Sequence, residues 1–501
     1  MKSYLKPATI FIIAAIVFTV IQFNHSDFLG QDAYYHAKVA EMIGNSGHLL
    51  QKFPWLQYTI LKDNFVEHHL LFHILLIPFV TFFNVFTGGK IAIILFSSLF
   101  ITVFYIIISK LKLKYPLFWS LMLLGSSSFL LYRLNLLRAQ SLALILLFIG
   151  IYALIKKKWL LLFIISIFYT WLFDGFIILG IVLAVYLFTM GVSYFKTRKI
   201  KSTELIMPLL NYLGGVTVAI ILNPYFPANL YHLFFHLYKV ALHDPFTDMP
   251  VGIEWDLLYP SLAVSSSLLL LIFFILSIAV SLKTFIIDKN FSRHYLFLGL
   301  LSVAFFFITI VVRKMIEYSA PMIILFSAYS LTFFIKNDWN KIKRFKIFNK
   351  YVIALAILIL FIPCSLNLRN LYFHTNSNQN DNQSIREAGK WMAANIPPEE
   401  TIYHVDWSEF SQLFFYNPGN FYISGLDPNF MKDYDEFLYR KWYKIFNEQQ
   451  LESLYATVKF DFKANYIYFK NDFSEIKNQV ESDMRFNLIY STNDINIYSL
   501  E

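Results

Sequence analysis

Cysteine is almost missing from this sequence: one residue, Cys364, in a chain of 501. A lone cysteine in an apolar run excludes an intrachain disulfide and any metal site built on thiolates. Charge is scarce as well. Asp, Glu, Lys and Arg make up 15% of the residues against 57% apolar ones, a balance that excludes a soluble protein of this length. The apolar runs hold few of those charges, so they lack the midplane acids and bases that mark a pump or transport pathway. No internal repeat and no long low-complexity segment is found. Nor do the runs show the short alternating segments of a membrane barrel. The net charge of +9 does not point to nucleic acid, because Lys and Arg gather in short loops between apolar runs, as cytoplasmic loops do.

What is present is length without charge. Stretches of about 17 residues or more recur, long enough for a helix to cross a bilayer; residues 91–109, 261–282, 318–335 and 351–368 are examples. The first apolar run, 7–23, follows Lys2 and Lys6 and has no small-residue cleavage site after it, so it is expected as an uncleaved span with a cytoplasmic N-terminus. The basic loops 110–114, 156–158, 196–201 and 336–350 then all fall on the cytoplasmic side only if 70–86, which carries His73 and Pro78, lies at the outer interface without crossing. The expectation is about eleven spans, with outer loops 24–87 and 223–260 and an external C-terminus. From about residue 370 the composition turns polar. Helical stretches such as 383–395 alternate there with β-type runs at 401–405, 466–469 and 486–490. The expected fold is a polytopic α-helical membrane domain, 1–369, followed by a soluble extracytoplasmic α/β domain, 370–501.

Ionisable groups cluster at span ends and in the outer loops. In QDAYYHAKVAEMIGNSG, Asp32 and His36 share a helix face beside Tyr34 and Tyr35, and Gly44 and Gly47 suit the helix end. A carboxylate just outside a span can act as a base or hold a divalent cation. VEHHLLFH supplies Glu67, His68, His69 and His73; its order is not that of a zinc protease. The later outer loop offers His232 and His236 at helical spacing, then His243, Asp244, Asp248, Glu254 and Asp256. Arg313 and Lys314, in VVRKMIEYSAP, stand at an outer span end against the charge trend, where a guanidinium suits a phosphate. Asp174, Arg133 and Arg138 mark two further outer turns.

Taken in order, these pieces resemble the GT-C glycosyltransferases, most of all the catalytic subunit of oligosaccharyltransferases. DAYYH resembles the family's Asp after the first span, giving Asp32. VGIEW is similar to its TIxE-type motif, giving Glu254, and VRKMIEYSAP resembles the stretch whose Arg contacts the lipid-linked pyrophosphate, giving Arg313. TIYHV followed by DWSEF is similar to the strand and WWDYG of the external domain, with Asp406 and Trp407 as partial echoes. The family's DxD has no counterpart: RLNLLRAQS stands in its place without an acid. The resemblance implies transfer of a sugar or glycan from a polyprenyl phosphate or pyrophosphate carrier to a glycan, lipid or protein acceptor at the outer face of a bacterial inner membrane. It implies Asp32 and Glu254 as catalytic residues, and Arg313, Tyr35, His36, Asp406 and Trp407 as substrate-binding residues. A divalent cation, Mg or Mn, would sit on Asp32 and Glu254, with His68, His69 or Asp174 in place of the missing DxD. The competing readings are a transporter or flippase of lipid-linked saccharides, a polymerase or ligase of them, and a non-catalytic scaffold.

Overall fold

In the computed structural model the described residues are 2–197, 202–241, 253–286, 292–337, 350–377, 379–449 and 453–501. The apolar runs become helices: α1 (Lys2–Gln22), α2 (Asp32–Ser46), α3 (Leu70–Phe82), α4 (Val85–Lys110), α5 (Pro116–Gly125), α6 (Ser128–Leu134), α7 (Gln140–Lys156), α8 (Trp159–Leu172), α9 (Phe176–Thr197), α10 (Ser202–Ile221), α11 (Ala228–Phe235), α12 (Pro260–Ile286), α13 (Arg293–Val311) and α14 (Ile316–Asn337). The helix Lys350–Ser377 follows and runs across residue 370.

Six segments are long and apolar enough to cross a membrane: α4, α12 and α13, most of α9, α10, and Arg313–Lys336 at α14. The α5–α6 pair, bent by 87°, makes a seventh if it counts as one span. The chain is a multi-pass membrane protein. Its exposed side chains agree, since Ile206, Leu209, Leu210 and Leu213 of α10 lie on the surface, which suits lipid and not water. The expected eleven spans are not reached by length and composition among the described residues. The apolar stretches Lys6–Gln22, α3, α7 and α8 are only 13 to 17 residues long. Such helices rise about 20–25 Å, less than a hydrocarbon core of roughly 30 Å. The loops expected at 196–201 and 336–350 lie largely outside the described residues, as do His243, Asp244 and Asp248.

Three local features shape the helix ends that carry the polar residues. Gly47 ends α2 in the left-handed region, at φ 69°, where a Cβ would be strained. At the other end of the hairpin, a Cβ on Gly88 would lie 2.0 Å from the Phe79 carbonyl oxygen, so glycine lets α4 start directly against α3. The α5–α6 bend falls at Ser126 and Ser127. The Ser127 side chain accepts a hydrogen bond from the Leu130 N–H and so caps α6. Its Oγ lies 2.7 Å from Ser267 Oγ, where α12 also departs from helical geometry. The bend turns α6, and with it Arg133, across the bundle.

The C-terminal part carries a five-stranded sheet of order β2-β1-β3-β5-β4, from β1 (Thr401–His404), β2 (Phe421–Tyr422), β3 (Tyr466–Lys470), β4 (Phe486–Ser491) and β5 (Ile495–Leu500). β1 pairs in parallel with β2 and β3, whereas β5 is antiparallel to β3 and β4. Alternation along the strands separates two cores. Tyr422, Tyr468, Ile495 and Ile497 pack with Tyr35, Val39, Phe53 and Leu56 of the first outer loop, while Tyr403, Ile467, Phe469 and Tyr498 cover the domain's own helices. The outer loop also joins the sheet edge. Leu56 bridges Tyr422 in parallel, the Tyr422 N–H donates to the Trp55 carbonyl at 2.7 Å, and the Gln57 N–H donates to the Tyr422 carbonyl at 2.9 Å.

Candidate functional site

Two polar clusters lie at the ends of these helices. The first gathers three acids and three bases. Asp32 opens α2, where the helix N-terminus favours a carboxylate. Arg138, in the turn between α6 and α7, reaches Asp32 Oδ2 at 2.5 Å and Glu254 Oε2 at 3.0 Å. Arg133, in the last turn of α6, also contacts Glu254 and donates from Nε to Glu317 Oε2 at 2.9 Å. Lys314 lies with its Nζ 3.0 Å from the Trp255 ring centre. Burial alone would raise the Glu254 carboxyl, but Arg138, Arg133 and Lys314 outweigh it and hold the group well below the carboxylate range. The cluster grades outward: the Arg133 and Glu317 side chains are 7% and 3% exposed, Asp32 48%. Its inner pair is sealed and its outer carboxylate is open to a ligand. Arg313 stands beside it; its N–H donates to the Asp256 carbonyl at 3.0 Å, and its guanidinium lies 5.8 Å from the Phe129 ring centre.

The second cluster holds six of the chain's twelve histidines. His73 Nδ1 lies 2.9 Å from Glu67 Oε2, and His73 Nε2 lies 2.8 Å from His36 Nδ1. A proton on His73 Nδ1, facing Glu67, leaves Nε2 to accept from His36. His36 packs on His69, His69 on His68, and His68 on His232 and His236, with ring centres 4.0–5.0 Å apart. His236 Nδ1 lies 2.8 Å from Asp174 Oδ2. Burial, reinforced by the neighbouring imidazoles, pushes the pKa of His36, His68 and His69 well below 6.5 and that of His232 to about 3. These rings are therefore neutral at pH 7.

The residues expected from sequence divide between these places. Asp32 and Glu254 do converge, but through Arg138 and not as a shared metal site. Among the described residues, neither belongs to a group of three or more histidine, cysteine or acidic ligands within 4.8 Å. His68 and His69 belong to the histidine cluster, so the four expected metal ligands are not one set. Tyr35 and His36 are buried at 3% and 4% exposure, against Phe53 and His73 respectively. Asp406 caps its own turn by accepting from the Ser408 N–H, and Trp407 is partly buried against the core formed by Tyr403, Ile467, Phe469 and Tyr498. The C-terminal domain instead meets α2 through the helix Phe410–Tyr416, where Phe415 and Tyr416 pack on Tyr34. It meets α11 through Phe430, whose ring stacks with Phe235 and His232. Arg133 and Arg138, marked from sequence only as ionisable groups at a turn, and Glu317, which was not singled out, complete the cluster.

At the level of sequence, no family model and no curated protein matches the chain. The structure does match solved proteins. The apo oligosaccharyltransferase of Archaeoglobus fulgidus superposes with a TM-score of 0.61 at 12% identity, over 99% of this chain and 74% of that one. The same organism's AglB, in complex with an inhibitory peptide and a dolichol-phosphate, gives 0.63 at 12% identity, over 100% and 74%. ArnT of Cupriavidus metallidurans in the apo state gives 0.55 at 12% identity, over 98% and 97%. The fold is that of the GT-C glycosyltransferases. The likeness covers both the helical part and the C-terminal sheet, so the family resemblance read from loose motifs holds for the architecture.

Proposed function

We propose that the chain transfers a sugar or glycan from a polyprenyl phosphate or pyrophosphate carrier to an acceptor at the outer face of a bacterial plasma membrane. The observation that carries this reading is the half-open Asp32 carboxylate, held by Arg138 beside the Arg313–Lys314 turn. A general base and a set of cations then stand together where a lipid phosphate would enter. The acceptor nucleophile attacks the anomeric carbon and gives its proton to Asp32. The bond from that carbon to the phosphate oxygen breaks, its electron pair stays with the phosphate, and the configuration inverts. Arg138, Lys314 and Arg313 stabilise the charge that grows on the departing phosphate. Donor phosphate competes with Asp32 for Arg138, so donor binding itself frees the base. The fold family's divalent cation does not fit this donor set: guanidiniums cover Asp32 and Glu254, and the turn that would supply further acids carries arginines.

The test is transfer from labelled polyprenyl-linked donors by purified variants in lipid. Asp32→Asn and Glu254→Gln are expected to keep their fold and lose roughly 100-fold or more of turnover, while Arg313→Ala chiefly raises the KM for donor. Near-wild-type turnover by Asp32→Asn would overturn the mechanism. Turnover abolished by chelator and restored by Mg2+ or Mn2+ would overturn the role given to Arg138.

A further inference from the structure

The histidine cluster contains a feature that the transfer chemistry does not use. His68, Asp174, His232 and His236 each present one ligand atom, and the four atoms lie within 4.8 Å of one another. They come from three separate places: the first outer loop, the α8–α9 turn, and α11 with the turn that continues it. His232 and His236 are four residues apart, the spacing that puts two ligands on one helical face. His68, Asp174 and His232 also line a small cavity of about 30 Å3, room for an ion and not for a sugar. His232 is 5% exposed, and its Nε2 is buried without a hydrogen-bond partner. A buried, unpartnered ring nitrogen is costly, and a bound cation would satisfy it.

We infer that His68, Asp174, His232 and His236 form a binding site for a transition-metal ion, of the zinc type, separate from the Asp32–Glu254 carboxylates. Three imidazoles and one carboxylate favour Zn2+ over Mg2+ or Ca2+, which take oxygen ligands. The ligands of a tetrahedral Zn2+ lie about 3.3 Å apart, so small side-chain rotations complete the set. Four protein ligands leave no open position, which makes the site structural. It would pin α11 and the π-helical segment after it to the loop between α2 and α3 and to the α8–α9 turn. His232 and His236 also face Phe430, so the ion would hold the surface on which the C-terminal domain rests.

The experiment uses the full-length protein in detergent, stripped with a strong chelator and dialysed against Zn2+, Co2+ or Mg2+ alone. Metal content is then measured by mass spectrometry. Wild type and the control His48→Ala should each retain one Zn2+ or one Co2+ per chain, with the visible absorption of four-coordinate cobalt, and no Mg2+. Asp174→Asn and His236→Ala should weaken retention by roughly 100-fold or more, with the metal-free thermal midpoint unchanged. A gain of signal guards against variants that misfold: His236→Cys, in a Cys364→Ser background, should bind Co2+ with a new thiolate charge-transfer band in the near ultraviolet. Wild-type protein that retains no transition metal would overturn the inference. So would variants that retain it with an unchanged cobalt spectrum, or His236→Cys that binds cobalt without the thiolate band.

Discussion

Arg133→Gln separates the sealed part of the carboxylate–arginine cluster from its open part. The substitution removes the guanidinium from two acids. Glu254 keeps Arg138 at 3.0 Å, so its loss is partial. Among the described residues Glu317 keeps a hydrogen bond from Gln140, at 3.4 Å, and the more distant charge of Lys314, and its side chain is 3% exposed. An uncompensated buried carboxylate costs about 3–5 kcal/mol, and nearly all of the effect should come from Glu317. Replacing both members of the pair, Arg133→Gln with Glu317→Gln, removes the stranded charge and should return stability to within about 1–2 kcal/mol of wild type. Asp32→Asn is the contrast: its partner keeps Glu254 and its side chain is half-exposed, so the loss should stay under about 1 kcal/mol. The assay is denaturant or thermal unfolding of the purified variants in one detergent, followed by tryptophan fluorescence. Arg133→Gln as stable as Asp32→Asn would refute the division into an inner and an outer pair. A double variant no better than the single would show that the Glu317 charge is not what the arginine neutralises.

Acidification should loosen the outer face. In metal-free protein His36, His68, His69 and His232 have folded-state pKa values below 6.5, so their contribution is complete above that pH and is lost as pH falls below it, by up to about 1.4 kcal/mol per histidine per unit. Glu254 acts in the same direction lower down, with stability present above its ordinary 4.5 and fading as pH falls further. Unfolding midpoints between pH 7.5 and 5.5 check this, and His232→Gln should flatten the profile. Gly88→Ala forces a methyl onto the Phe79 carbonyl and should reduce folded yield, whereas Gly191→Ala, which meets nothing within 4 Å, should not; size-exclusion profiles compare them. Cysteines placed at Ser46, Thr87 and Ser384 should all be labelled from the outer side in intact cells, and labelling of Thr87 from the cytoplasm would show that α3 crosses.

The helical membrane part was legible because lipid imposes it: uncharged length can be read one residue at a time. The sheet was legible from the β-type runs that became β1, β3 and β4. What could not be read was where helices break and which loops meet. The Ser126–Ser127 bend brings Arg133 to Glu317 across 184 positions, and nothing in the local pattern of GSSS signals an 87° turn. The missing acids of RLNLLRAQS were legible as a loss, but the arginines there only gain meaning beside Asp32 and Glu254. In the same way the pairs His69/His73 and His232/His236 show helical spacing, while their convergence with His36 and Asp174 is a property of packing. Asp406 and Trp407 show the converse: motif echoes placed by sequence beside the site serve the fold as a turn cap and a partly buried packing residue.

The strand-like pairing of Leu56 with Tyr422 bears on how the protein is made. The Trp55 indole donates to the Pro418 carbonyl across 363 residues, and Arg386 closes an ion pair with the nearly buried Asp27 at 2.9 Å. The first outer loop therefore leaves the ribosome early and cannot satisfy its backbone groups or cover Phe53 until the last fifth of the chain follows. Throughout insertion of the intervening helices it waits as an open edge with exposed aromatics, a state prone to wrong pairing. A chain truncated before residue 400 would lack the strand that closes the loop, whatever the integrity of its membrane helices.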